Sequence, residues 1–359
     1  MENEINEIKK EAPAAESPTE KKPPKKEGQA PKKKRSKLPP AKPITEPSLP
    51  LLLCAVSLVL SLLTLIADRF IHPFAGELLS PVIMQVIILL IPAYIVALLL
   101  NPQKKPLAVF SDLGFGKIKA TNVFFVIFTA LFASSASLAL TLLLGGAYNA
   151  SEGMTLLGTF TAGKNEFTYA YPYLIFTYVL LPAVIEEIFF RGVLFKQLGK
   201  ISFPYAAICS AMLCAFFSFS LGGFIPALFF GLVMAFVMYT TGSLLSCIAV
   251  HLLFNLYRLF IESNVSEYYL SGAGNALLLV TVFFVLLVSS LLFVSECIRI
   301  YRKKAADVAD GKARPSTRLE RFKTLRDDLR STFAYTPSIV LASVCGALFL
   351  AAVIINFFS

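Results

Sequence analysis

Nine long apolar segments organise the chain from residue 48 to its end. They lie near 48–67, 81–100, 121–145, 171–199, 203–221, 224–241, 243–261, 273–296 and 337–358. A run of about 20 apolar residues is what an α-helix needs to cross the hydrocarbon core of a bilayer. Lipid offers no partner to a backbone N–H or C=O, so each such run is expected to bond internally as helix. The expected fold is all-α, a polytopic membrane helical bundle of about nine transmembrane helices.

The pattern also divides the chain. Residues 1–47 are low-complexity, rich in Lys, Pro, Glu and Ala, with Lys32, Lys33, Lys34 and Arg35 in succession. Such a stretch buries too little apolar surface to fold, and it is expected to be a disordered cytoplasmic tail. Residues 48–170 supply accessory transmembrane helices, 171–261 a core of four, and 262–296 one further span. Residues 297–336 form a basic cytoplasmic linker with an amphipathic portion, and 337–359 a C-terminal span. In the linker, Leu319, Phe322, Leu325 and Leu329 share one helical face. Arg318, Glu320, Arg321, Lys323 and Arg326 interleave with them, as an interfacial helix requires.

Composition agrees with the pattern. The 359 residues are 56% hydrophobic and only 16% charged, where soluble domains carry about 25% charged residues. The net charge of +10 would suit nucleic acid if it were clustered on a domain. Instead the connections at 101–120, 191–202 and 297–336 are basic, while those at 68–80, 146–170 and 262–272 carry few Lys or Arg. That alternation is a topology signal, with the N-terminus cytoplasmic. A multi-pass protein of the cell membrane is expected, with membrane lipid around it and no nucleic-acid partner. Six cysteines lie in or beside apolar segments without a Cys-x-x-Cys pair, so they read as apolar thiols. The two histidines, His72 and His251, exclude chemistry that needs an imidazole cluster.

Charged residues inside spans are costly and usually functional. The fourth segment contains Pro182, then Glu186-Glu187, then Arg191. Two adjacent carboxylates repel each other, and burial penalises their charge, so the pair needs partners. Glu187 and Arg191 are four residues apart and share a face, where an ion pair is expected. Glu186 is rotated about 100° away, without that partner, and is the better placed to act as a general base on water. Pro182 cannot donate to the carbonyl of Tyr178 and is expected to bend the helix. The seventh segment contributes His251 and Asn255, also four apart. Imidazole and amide N–H groups can donate to a developing oxyanion. Counted from the helix ends at about 1.5 Å per residue, Glu186, His251 and Asn255 reach overlapping depths.

Glu-Glu-x-x-x-Arg on one helix followed by His-x-x-x-Asn on another resembles the CAAX-protease and bacteriocin-processing (CPBP) intramembrane proteases. Glu186, Glu187 and Arg191 match the first motif, and His251 and Asn255 the third. Gly222-Gly223, Gly231 and Thr241 to Leu245 also look like that family's core, so residues 171–261 form a CPBP-like core. The middle motif departs, since Phe216 is in place but Ser220 stands where the family has histidine. Ser220 can donate a hydrogen bond but is no base or good metal ligand near neutral pH.

The resemblance implies a glutamate-dependent intramembrane endopeptidase acting on a membrane-associated peptide or protein. The site residues would be Glu186, Glu187, Arg191, His251 and Asn255, with Ser220 at the second-motif position. No cofactor is expected, and the ligand count does not support a metal. Two other readings stay open at this level. One is a catalytically silent CPBP-like membrane scaffold or bacteriocin-immunity protein. The other is a transporter, for which the inverted repeats of many carriers are lacking.

Overall fold

The computed structural model describes residues 52, 54–60, 62–63, 82, 85–100, 113–145, 171–199, 203–218, 221–259, 272–310 and 336–358. The 1–47 tail, the amphipathic stretch at 318–329 and Ser220 lie outside the described residues. Every regular element among the described residues is helical. The protein is an all-α helical bundle, as its hydropathy pattern predicts.

Residues 54–60 are helical. Helix α1 comprises Gln85–Leu90, wound as π-helix, and Ile91–Leu100. A 3₁₀ turn, Ala120–Asn122, leads into α2, Val123–Gly145. Helix α3 changes winding along its length: Tyr171–Leu174 is α, Ile175–Leu180 is π, Leu181–Glu187 is α, Ile188–Phe195 is π, and Lys196–Leu198 is α. Then come α4, Phe203–Phe216; α5, Leu221–Thr241; α6, Leu244–Tyr257; α7, Gly272–Ala309; and α8, Thr336–Phe358.

Three of the described helices are long and apolar enough to cross a membrane: Ala120–Leu143, Gly222–Thr241 and Ala276–Asp307, with mean hydropathies of 2.2, 1.9 and 3.0. Two ends depart from the apolar pattern. The fifth segment, expected to reach 221, stops at Phe216, because Phe217 and Ser218 turn the chain with bonds back to the carbonyls of Cys214 and Ala215. The eighth, expected to end at 296, continues to Ala309. Arg, Lys and Ala favour helix even where they end an apolar run. Arg299 also reaches back one turn to Glu296 at 2.5 Å.

Two apolar clusters flank α3. One joins residues of the 54–60 helix and α1 (Leu58, Ile88, Leu89, Ala93) to Ile185, Phe189, Phe190 and Leu194 of α3. There Phe189, Phe190 and Phe217 meet edge to face, with centroids 4.9–5.9 Å apart. The other cluster joins α2, α4, α5 and α6 through Phe125, Tyr205, Phe230, Met234 and Phe254. Helix α7 docks on α2, where Phe132 and Phe293 stack at 4.8 Å and Ser135 Oγ meets Ser289 Oγ at 3.0 Å. All six cysteines are free thiols, four of them buried.

The start of α6 is fixed by its neighbours. Gly242, at φ +65°, makes the reversal after α5 that a side chain would resist. Ser243 then caps α6, its Oγ accepting from the Ser246 N–H at 3.3 Å and donating to the Gly116 carbonyl. The Leu244 N–H donates to the Gly114 carbonyl at 2.9 Å, in a segment where Gly114 has φ +85°. His251 follows two turns later, at a height these bonds set.

Candidate active site

The site is built where α3 faces α6. Pro182 has no N–H to contribute to its helix, and the winding loosens to π on both sides of Leu181–Glu187. Single π turns inside α-helices often mark functional positions. Glu186 and Glu187 end that short α segment. Both are buried, at 5% and 0% relative exposure, and so are Arg191, His251 and Asn255.

Arg191 Nη1 donates to Glu187 Oε1 at 3.1 Å, the ion pair that the four-residue spacing predicts. Its Nη2 donates to the Gly231 carbonyl on α5 at 3.2 Å, and the guanidinium lies 5.6 Å from the Phe190 ring centroid. At Gly231 helix α5 also lies close against α4: a Cβ there would stand 2.8 Å from Ala211 Cα. The small residue therefore does two things, allowing the helices to touch and presenting its carbonyl to Arg191.

His251 stands between the two glutamates. Its Nδ1 is 2.9 Å from Glu187 Oε1, and its Nε2 is 3.9 Å from Glu186 Oε2. The Phe230 ring meets the imidazole edge to face at 4.9 Å. With Nδ1–H donating to Glu187 Oε1, a neutral ring leaves Nε2 without a proton. At Nε2, only the imidazolium has a proton to give.

Two carboxylates face one guanidinium, and a buried cluster is far cheaper when neutral. Neutrality needs one further proton, held by Glu186 or by His251. Glu186 Oε2 and His251 Nε2 stand 3.9 Å apart. That separation is too long for a direct hydrogen bond but allows one water to bond both atoms at about 2.8 Å.

Glu186 has a second partner that its neighbours in sequence do not supply. Gln85 Nε2, from the first residue of α1, donates to Glu186 Oε1 at 3.2 Å. The sequence signal is a lone amide in the run Val82-Ile83-Met84-Gln85-Val86-Ile87, with no polar residue one helical turn away to mark a shared face. Asn255 lies one turn beyond His251. Its Nδ2 makes a long bond, 3.4 Å, to the Val179 carbonyl of α3, and its Oδ1 is buried without a bonding partner among the described residues. The geometry therefore gathers Glu186, Glu187, Arg191 and His251 tightly, with Asn255 beside them. Among the described residues, no three His, Cys, Asp or Glu side chains converge as metal ligands. The imidazole offers opposite edges to the two acids rather than joining them around one point.

No curated protein and no solved structure matches the chain. Residues 168–257 match the family model described as type II CAAX prenyl endopeptidase Rce1-like. That span covers about a quarter of the chain and includes Glu186, Glu187, Arg191, His251 and Asn255, while Gln85 lies outside it. The two helices that face each other across this buried acid–imidazole cluster thus lie within the segment that matches that family model.

Proposed function

We propose that the protein is a glutamate-dependent intramembrane endopeptidase in which Glu186 activates water and His251 stabilises the oxyanion. The observation that carries the reading is the His251 ring held between Glu187, at 2.9 Å, and Glu186, at 3.9 Å. Glu187, clamped by Arg191, orients the ring and balances its charge. Glu186 takes a proton from a water molecule as the water oxygen bonds to the scissile carbonyl carbon. The carbonyl π electrons move onto oxygen, which accepts a hydrogen bond from His251 Nε2–H, with the Asn255 amide as second donor. Collapse of the adduct breaks the C–N bond, and Glu186 returns its proton to the leaving nitrogen. One water is consumed, and one acid and one amine are released.

The substrate in this reading is a membrane-associated peptide or protein whose C-terminal region enters the bundle from the lipid or the cytoplasm. The family description makes a prenylated C-terminal peptide the first probe. The alternation of basic and non-basic connections supports a cytoplasmic N-terminus in the cell membrane. The purified full-length chain in lipid nanodiscs should cleave such a peptide. Glu186→Ala should lower the rate at least about a hundredfold with its melting profile unchanged. Cleavage that persists in Glu186→Ala contradicts the assigned role.

A further inference from the structure

We infer that Gln85 is a positioning residue for the reaction, selecting the rotation of the Glu186 carboxylate that turns one oxygen toward His251. The inference rests on the proposed peptidase mechanism. A glutamate carboxylate turns easily about its last torsion, which has a broad two-fold profile. Burial alone does not fix the plane of the carboxylate, and so does not aim an oxygen at the imidazole. The Gln85 Nε2 bond at 3.2 Å holds Oε1, and Oε2 is then the atom 3.9 Å from His251 Nε2. A base must be aimed as well as ionisable, and small misplacements at a reacting centre carry large rate penalties.

The placement of Gln85 is itself built. It is 3% exposed, and its helix is anchored by Ile88, Leu89 and Ala93 in the cluster that includes Ile185 and Phe189 of α3. A buried amide among lipid-compatible residues is unfavourable without polar partners, and its donor goes to the glutamate assigned to chemistry. Gln85 lies some 80 residues before the family-matched segment. An accessory helix thereby takes part in the site, and the matched segment alone does not supply all that Glu186 contacts.

The test uses the full-length protein in nanodiscs with the prenylated peptide probe. Gln85→Met keeps length and apolar packing but has no donor. Gln85→Asn keeps the amide but is one methylene too short. Both variants should lose about tenfold to a hundredfold in kcat, with KM within about twofold of the parent. Gln85→His, which offers an N–H at comparable reach, should recover part of the loss. Unchanged kcat in Gln85→Met and Gln85→Asn, or kcat and KM falling in step with a lowered melting temperature, overturns the inference. If the parent protein cleaves no probe, the peptidase reading fails separately, and infrared spectroscopy then tests the contact directly. The carboxyl band assigned by its loss in Glu186→Gln should shift in Gln85→Met. A band that stays in place overturns the inference.

Discussion

Helix α7 and the facing pair α3 and α6 solve opposite problems. The span Ala276–Asp307 in α7 has a mean hydropathy of 3.0, and only 17% of its most apolar window is buried. Leu277, Val280, Phe284, Leu287 and Leu291 are all at least 60% exposed, as a lipid-facing helix requires. Helix α3 runs without a break from Tyr171 to Leu198 while alternating between α and π winding. It buries two carboxylates and a guanidinium. Hydropathy thus finds the helix that does least chemistry with the greatest ease. The working helix is marked by its polar exceptions and by Pro182, which the apolar average conceals.

Substitutions should separate the two regions sharply. Arg191→Leu leaves Glu187 beside His251 without its cation, and removing one partner of a buried pair costs about 3–5 kcal/mol. The protein should melt far lower in detergent, as read by thermal aggregation of the purified chain. A melting temperature equal to the parent's would show that Glu187 does not depend on Arg191. Gly231→Val drives a branched side chain into Ala211 and moves the carbonyl that Arg191 uses. Overpacking of this kind costs about 1–3 kcal/mol, and the same melting assay should place this variant between Arg191→Leu and the parent.

At the periphery the effects should shrink. Ser289→Ala removes the 3.0 Å contact with Ser135 that ties α7 to α2, and interhelical bonds in membranes average about 0.6 kcal/mol. Phe284→Ala, on a side chain 65% exposed, should change stability by no more than about 0.5 kcal/mol. A loss at Phe284 rivalling that at Gly231 would mean that α7 packs against protein on its outer face, and the contrast between the regions would fail.

The sequence made much of this legible for one reason: charge within an apolar run is rare. Glu186, Glu187, Arg191 and His251 stand out at once, and four-residue spacing predicts the Glu187–Arg191 pair that the structure contains. The bond from His251 to Glu187 was harder to foresee, because spacing within one helix says nothing about which acid a second helix will meet. Gln85 is less conspicuous for a related reason: unlike Asn255, it has no polar residue one turn away on its helix. The end of α4 was misplaced because Phe216-Phe217-Ser218-Phe219 continues the apolar run with no Gly or Pro to mark the turn. Helix α7 outruns its apolar pattern because helix propensity and the Glu296–Arg299 pair sustain its charged last turns.

The central claim is that Glu186 acts on water as a base rather than attacking the substrate itself. A single turnover in water labelled with heavy oxygen tests this most directly, with the products and the protein both analysed by mass spectrometry. A base-activated water places the label in the new carboxyl terminus of the peptide and leaves Glu186 unlabelled. An unlabelled first product, with heavy oxygen appearing in the Glu186 carboxylate, would mean a covalent anhydride and would contradict the account.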